Sequence, residues 1–571
     1  MKFPKYLPLL LILLVVLVIP RLLGLGLFVA VDEPAWLTRG GNFYYALGQR
    51  EFQNTIYEYH PSVITMWYVA AAVFVYFPEY RGLGQGYFDV DKETFDPFLL
   101  EHGKLPITLL YISRLFQVIV IILFALMIFH FLSRLIGENR AFLTTALASS
   151  SPFFLGHSRV LSHEAMVATF VLVSVVGMMV YLEIENKWHY LLISAAAAAL
   201  AQLTKSSAMA MFPVIGLMLV VSVFEKMKER GFMSSLLDHL KIFGTWFALL
   251  VFVYFILWPG MWVAPGKMLY EVYGNAFSYA LQGSRLEITH ELQPSTFGLA
   301  AAGGTARGFL NNIITRTTFL DWIGFILACI FLLVRREDRF FTIPRKMFVY
   351  LFVTATMFIL LFSFAQGRNS SYYVMTSFVS LGMIAGFGWG SLLLWLGMKW
   401  KTEIGAKVVA GGAVLLVILQ LAGTLPFYPY YYNYYNPVWA TISGQEAFSD
   451  YGEGFEKAAA YLAQKPNGAS LKVFSFRGRG PFSYFFPGQT ILLNPLFVEE
   501  PGMGSMFERL EQSDYLVVND AFGLRTERTA LFVHELELVQ PEHSIYVKGV
   551  FPIRIYRVAD LPPAFYETLS K

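Results

Sequence analysis

The sequence predicts a polytopic α-helical membrane protein that ends in a small α/β domain. Three observations predict it. The 571 residues are 56% apolar and only 15% charged, with a mean hydropathy of +0.53, a balance suited to lipid rather than water. Apolar runs of roughly 16–25 residues, the length that crosses a bilayer as helix, recur about eleven times. Beyond residue 446 the hydrophobicity drops and short alternating stretches take over. The net charge of +3 argues against a nucleic-acid binder, and no glycine-rich phosphate loop opens a helix. The single cysteine, Cys329, excludes an intrachain disulfide and paired-cysteine metal or redox motifs.

The predicted spans lie near 7–29, 109–132, 141–155, 164–182, 189–204, 207–224, 242–258, 317–334, 347–365, 372–396 and 407–426. Two of them, 141–155 and 189–204, are short enough to need tilt or shielding by neighbours. With eleven spans, the loops carrying Lys2 and Lys5, Arg134 and Arg140, Lys226 to Arg230, Arg335 to Lys346, and Lys399 to Lys407 share one side. By the positive-inside rule that side is the cytoplasm. The N-terminus is therefore predicted inside, and the chain beyond about residue 426 outside. A cleaved signal peptide ending at Ala30 is the competing reading of the first run.

Three outer segments are long: 30–108, 259–316 and 427–571. In the first, Pro34 opens a helix whose apolar positions Trp36, Gly40, Phe43, Tyr44 and Leu47 form a stripe, as in a helix lying in the membrane surface. The run SVITMWYVAAAVFVYF, behind His60 and Pro61, is predicted re-entrant or surface-lying, because as a span it would invert the later charge pattern. The tryptophans of WPGMWVAP and the tyrosines from Tyr430 to Tyr435 suit an interfacial belt. In the third segment FSDYGEGFEKAAAYLAQ reads as an amphipathic helix, and LKVFSF, TILL, DYLVVN and IRIYRV read as short strands. The expected domains are a transmembrane catalytic domain over 1–426 and an extracytoplasmic α/β domain over 427–571.

An ionisable residue costs about 2.5–3.5 kcal/mol at the centre of a membrane helix, so each one near a span is a functional candidate. Several gather at the predicted outer ends. Asp32 and Glu33 leave the first span, and Arg114 begins the second. His157, Arg159, His163 and Glu164 join the third to the fourth; Lys205 joins the fifth to the sixth; Arg368 joins the ninth to the tenth. Any one of these alone could be an interfacial side chain that snorkels to water. Together they set acids and bases at one level. Grouped cations want an anion, most simply a phosphate, and grouped carboxylates want a proton to take or a metal to hold. Adjacent helix positions point about 100° apart. One of Asp32 and Glu33 is thus expected to face a cavity while the other caps the helix at Pro34.

These segments resemble GT-C glycosyltransferases, in particular the protein O-mannosyltransferases and the bacterial aminoarabinose transferases of lipid A. DEPAW resembles their Asp-Glu motif, and YEYHPSVITMW their His-Pro-Pro-Leu segment. YISRLFQVIV resembles their second span, which opens with an arginine. SRVLSHEAM resembles the segment where an arginine precedes an acid by five, and LTKSSAMAMFP their Leu-Thr-Lys segment. GRNSSYYVM is similar to their basic turn. The chain departs from the pattern at Trp36, Ser62, Glu164 and Ser371, and no β-trefoil-type insertion interrupts 259–316.

The resemblance implies a GT-C fold and inverting transfer of a sugar from a polyprenyl-phosphate donor to an acceptor hydroxyl at the outer face of the plasma membrane. It makes Asp32 the base, with Glu33 beside it, and gives the donor phosphate to Arg114, Lys205 and Arg368. His60, Arg159, His163 and Glu164 are expected to bind substrate or support the site. No cofactor is required. Asp32, His60, His163 and Glu164 could host a divalent ion, but none is predicted. The expected partners are the lipid donor, an acceptor protein, lipid or glycan, and the bilayer. Three alternatives compete: a transporter or flippase, which would show inverted repeats and charges at mid-span; a non-catalytic membrane scaffold, for which Asp32→Asn would be silent; and a ligase or polymerase using lipid-linked oligosaccharide.

Overall fold

The computed structural model describes residues 7–56, 61–90, 92–282, 299–334, 342–365, 368–444 and 448–570. His60 lies outside them. Each of the eleven predicted spans overlaps a helix, but the first helix, Leu7–Leu22, ends seven residues short of its predicted limit, and the predicted 141–155 is broken at Ser151. Among the described residues, seven helices are long and apolar enough to cross a membrane: Pro106–Ile136, His163–Glu183, Ser206–Arg230, Phe232–Leu257, Ile343–Phe364, Ser371–Gly397 and Glu403–Phe427. An eighth span exists if Ala302–Arg316 and Phe319–Leu333, bent by 111°, are counted as one. The chain is a multi-pass membrane protein. Three of the predicted spans outside the bent pair are shorter helices: Leu7–Leu22, with 16 residues, rises about 24 Å, Glu138–Ser150, with 13, about 20 Å, and Trp188–Thr204, with 17, about 25 Å. None alone matches a hydrocarbon core of about 30 Å.

The chain forms two compact units. One comprises residues 1–23, 39–86 and 113–443; the other comprises 24–38, 87–112 and 444–571. In the first, His163–Glu183 is the central helix and is buried along nearly its whole length. It forms an antiparallel hairpin with Trp188–Thr204, whose alanines at 195, 197, 198, 199 and 201 are buried and permit close packing. Met375–Gly397 also crosses its neighbours closely. A Cβ on Gly388 would lie 1.9 Å from the carbonyl oxygen of Gly324, so only glycine fits there. Val63–Tyr76 is mostly buried and packs against Trp188–Thr204. At the far end of the central helix Lys346 donates to Glu183 at 2.5 Å and to Glu225 at 2.6 Å, which ties three helix ends together.

The second unit is built on a five-stranded sheet: β1 Lys472–Ser475, β2 Gln489–Leu492, β3 Tyr515–Asn519, β4 His543–Ile545 and β5 Ile553–Arg557. Its order is β2-β1-β3-β5-β4, with the first three strands parallel and the last two antiparallel to their neighbours. All five residues of β3 are buried, as a central strand covered on both faces requires. The helix Phe455–Ala463 buries Phe455, Ala458, Ala459 and Leu462, the i, i+3, i+4, i+7 stripe of an amphipathic helix. The four strands read from sequence are all present; β4, three residues long, carries too little alternation to be read. Parts of the first outer segment belong to this unit: Val31 N–H donates to Tyr451 O at 3.0 Å.

Candidate functional site

Hairpin geometry brings the first pair of site residues together. In an antiparallel helix pair the start of one helix meets the end of the other. Glu164 sits in the first turn of His163–Glu183, and Lys205 follows the last residue of Trp188–Thr204. Lys205 Nζ donates to Glu164 Oε1 at 2.6 Å, with the two side chains only 11% and 13% exposed. Ser162 Oγ donates to the other carboxylate oxygen at 3.0 Å. Both oxygens are thus oriented, and the ammonium keeps further N–H donors beyond the one Glu164 receives.

A third residue joins from the other side. Lys205 Nζ lies 4.6 Å from the ring centroid of Tyr373, and Arg368 donates through Nη1 to the Tyr373 hydroxyl at 3.0 Å. Lys205 and Arg368, two of the three expected phosphate ligands, therefore converge on one tyrosine. Sequence reading passed over Tyr373. The signal was present as an aromatic five residues beyond Arg368 in GRNSSYYVM, but nothing local says that it faces Lys205.

Next to this pair stands a set of positioning contacts. Ser62 has φ of 51°, the left-handed region that favours glycine. It is held there by its N–H, which bonds Thr204 O at 3.2 Å, and by its hydroxyl, 3.0 Å from His163 Nε2. Thr65 Oγ1 lies 2.9 Å from His163 Nδ1. Both imidazole nitrogens meet hydroxyls, so His163 acts as a peg between Val63–Tyr76 and the central helix. A strained non-glycine residue beside a candidate site is the kind of position where preorganisation is stored.

Arg159 is 1% exposed and serves the main chain. It donates to Pro429 O at 3.1 Å and to Leu23 O, and it lies 5.1 Å from the Tyr431 ring and 5.6 Å from the Tyr428 ring. Burial lowers its guanidinium to about 10, with Tyr431 opposing and Arg114 adding to the effect. Arg114, also 1% exposed, is thus close enough for its charge to be felt there. The tyrosines that suited an interfacial belt are buried instead: Tyr430, Tyr431, Tyr432 and Tyr434 are each at most 4% exposed. Of these, Tyr431 packs on Arg159, Tyr432 on the His157 ring with centroids 5.4 Å apart, and Tyr434 on Phe427 with centroids 5.2 Å apart. Gly156 allows the approach, since a Cβ there would lie 2.4 Å from Tyr432 N.

Asp32 and Glu33 belong to the second unit. They divide their tasks as adjacent residues must. Glu33 is 1% exposed, and its Oε2 accepts the Ala30 N–H at 2.7 Å, a local cap. Asp32 stands at the start of Glu33–Gln49, where its carbonyl accepts the Trp36 N–H at 3.2 Å while its side chain is exposed. Of the two carboxylates, Asp32 is the accessible one. Among the described residues no group of three or more His, Cys, Asp or Glu side chains converges as a metal site.

Residues 111–258, about a quarter of the chain, match the family model described as dolichyl-phosphate-mannose-protein mannosyltransferase. The matched stretch holds YISRLFQVIV, SRVLSHEAM and LTKSSAMAMFP, three of the segments in which the sequence resembles GT-C glycosyltransferases. No curated protein sequence matches the chain. Among solved structures, the chain is similar to ArnT from Cupriavidus metallidurans bound to undecaprenyl phosphate, at 12% identity over 98% of this chain and 99% of that one, with a TM-score of 0.44. It is similar to the oligosaccharyltransferase AglB from Archaeoglobus fulgidus, in complex with an inhibitory peptide and a dolichol-phosphate, at 12% identity over 99% and 76%, with a TM-score of 0.45. It is also similar to the Pmt1-Pmt2 protein O-mannosyltransferase complex of S. cerevisiae, at 18% identity over 51% and 38%, with a TM-score of 0.35.

Proposed function

We propose that the chain is an inverting glycosyltransferase that moves a sugar from a polyprenyl-phosphate donor to an acceptor hydroxyl at the outer face of the plasma membrane. The observation that carries this reading is the convergence of Lys205 and Arg368 on Tyr373, with Lys205 held by Glu164 at 2.6 Å. Two oriented cations at helix ends are what a lipid phosphate at a membrane boundary needs. The orientation proposed with it places the N-terminus in the cytoplasm and the sheet-bearing unit outside.

In the reaction, the acceptor oxygen attacks the anomeric carbon from the face opposite the phosphate. The new C–O bond forms as the bond from the anomeric carbon to the phosphate oxygen breaks, and the configuration inverts. The hydroxyl proton passes to Asp32. The electron pair of the broken bond leaves on the lipid phosphate, where Lys205, Arg368 and Arg114 stabilise it. Glu33, as a buried cap, fixes the turn that carries Asp32. Arg159 holds main-chain carbonyls, His163 holds the hydroxyls of Ser62 and Thr65, and His60 is assigned to the sugar hydroxyls. The protein's own cations supply the positive charge, so the proposed reaction requires no cofactor. The acceptor is a protein, lipid or glycan.

Membranes carrying the full chain, given radiolabelled polyprenyl-phosphate mannose and polyprenyl-phosphate aminoarabinose in parallel, test the proposal. Transfer of label to an acceptor fraction is expected, reduced about 10²–10⁴-fold in Asp32→Asn. Transfer undiminished in that variant would remove Asp32 as the base, and no transfer of either sugar would remove both donors.

A further inference from the structure

Asp32 has an exposed side chain, yet the main chain that carries it is held by the sheet-bearing part of its own unit. The N–H of Val31, its neighbour, donates to Tyr451 O at 3.0 Å. Two loops press on the same stretch. A Cβ on Gly452 would lie 3.0 Å from Val29 O and 2.5 Å from Pro481 Cγ, and a Cβ on Gly480 would lie 2.4 Å from Pro34 Cγ. Neither loop has room for a side chain against residues 29–34. Arg479, in the crossover from β1 to β2, donates to Asp96 at 3.2 Å and to Thr38 Oγ1 at 2.9 Å. Thr38 Oγ1 in turn donates to Pro34 O at 3.1 Å.

The loop that receives Val31 is itself clamped. Tyr451 N–H donates to Glu453 Oε2 at 2.7 Å, and Ser449 Oγ donates to Glu453 Oε1 at 2.6 Å. Between them Asp450 accepts from three side chains. Arg477 takes both its oxygens, through Nε at 3.3 Å and Nη2 at 2.6 Å. Asn519 Nδ2 adds a bond at 3.2 Å and Arg525 Nη2 one at 3.1 Å. Arg477 follows β1 by two residues, and Asn519 ends β3, the parallel neighbour of β1. The clamp is thus anchored at the carboxyl ends of two paired strands. Arg477 has φ of 54°, a left-handed conformation that a non-glycine residue keeps only where its surroundings fix it. The two-pronged, charge-assisted bond to Asp450 supplies that restraint.

We propose that Arg477 is a positioning residue for Asp32, acting through Asp450, Tyr451 and Val31. The inference rests on the glycosyl-transfer reading, in which Asp32 takes the acceptor proton. A reacting group misplaced by about 1 Å costs on the order of 10²-fold in rate. The test uses the full chain in lipid nanodiscs with radiolabelled polyprenyl-phosphate mannose and polyprenyl-phosphate aminoarabinose. Arg477→Gln is expected to lower kcat roughly 10- to 100-fold with the donor KM unchanged. Arg477→Lys keeps a charged donor for Asp450 and should recover part of the rate. The same substitution is then made in Asp32→Asn, where no base remains to be misplaced, and should cost nothing further. A merely structural role would cost the same factor in both backgrounds, and that result would overturn the proposal. Arg525→Gln removes a partner that is 44% exposed. It serves the same comparison, with a smaller loss of rate, should Arg477→Gln fold poorly. Hydrogen exchange of the Val31 amide needs no transfer and is expected to quicken roughly tenfold in Arg477→Gln. Unchanged exchange would overturn the proposal whether or not the chain transfers sugar. Quickened exchange in a chain that transfers neither sugar would remove the glycosyl-transfer reading and retain the clamp.

Discussion

The Glu164–Lys205 pair permits a prediction that separates structure from catalysis. Both side chains are nearly buried, at 13% and 11% exposure. Removing one partner strands the other charge, and for a buried pair that costs about 3–5 kcal/mol. Lys205→Met and Glu164→Gln are each expected to lower stability by that amount, read as a shift in the thermal unfolding of the full chain in detergent. Replacing both partners removes both charges and should recover most of the loss. Activity should not follow stability. If Lys205 holds the donor phosphate, Lys205→Met loses about 10²–10³ in transfer rate, and the stable double variant stays as poor. Recovery of transfer in the double variant would refute the phosphate assignment and leave Lys205 only a structural partner of Glu164.

Further outcomes follow from other contacts. Burial raises the Glu453 carboxyl from its ordinary 4.5 to about 7, although Ser449 Oγ and Tyr451 N–H bond it at 2.6 and 2.7 Å. A raised acid contributes stability that is full below pH 4.5 and is lost as pH rises through about 7. The gap of about 2.5 units corresponds to about 3 kcal/mol, and Glu453→Gln, which reproduces the protonated form's bonds, should remove that pH dependence. Hydrogen exchange of the 449–463 segment at about pH 5 and pH 8 checks it; lower protection in the variant at both pH values would contradict it. Gly156→Ala is expected to push the main chain away from Tyr432 and destabilise by about 1–3 kcal/mol, read as a lower melting temperature. Arg159→Lys should lose about 1.5–3 kcal/mol, because an ammonium cannot bridge two carbonyls and stack on two tyrosines; an unchanged melting temperature would show that the clamp carries no stability.

Much of this molecule was legible in its sequence, for physical reasons that also set the limit. Apolar length located the helices, and period-two alternation located four of the five strands. Charge at span ends named Glu164 and Lys205, and the hairpin between them explains why they meet. The left-handed Ser62 was not legible, since its conformation depends on His163, 101 positions away. Nor was the packing of Tyr431 on Arg159, which bonds Pro429 from 270 positions away. The Asp96–Arg479 pair, 383 positions apart, follows the same rule. Period and composition report on a residue's own element; which element it meets is set by packing.

The most direct test of the account is density for the full chain in lipid nanodiscs with bound polyprenyl phosphate. The phosphate is predicted within about 3 Å of Lys205 Nζ, with Arg368 turned toward it. A phosphate bound away from Lys205, with Tyr373 still shared by the two cations, would contradict the claim that these helix ends exist to hold a lipid donor.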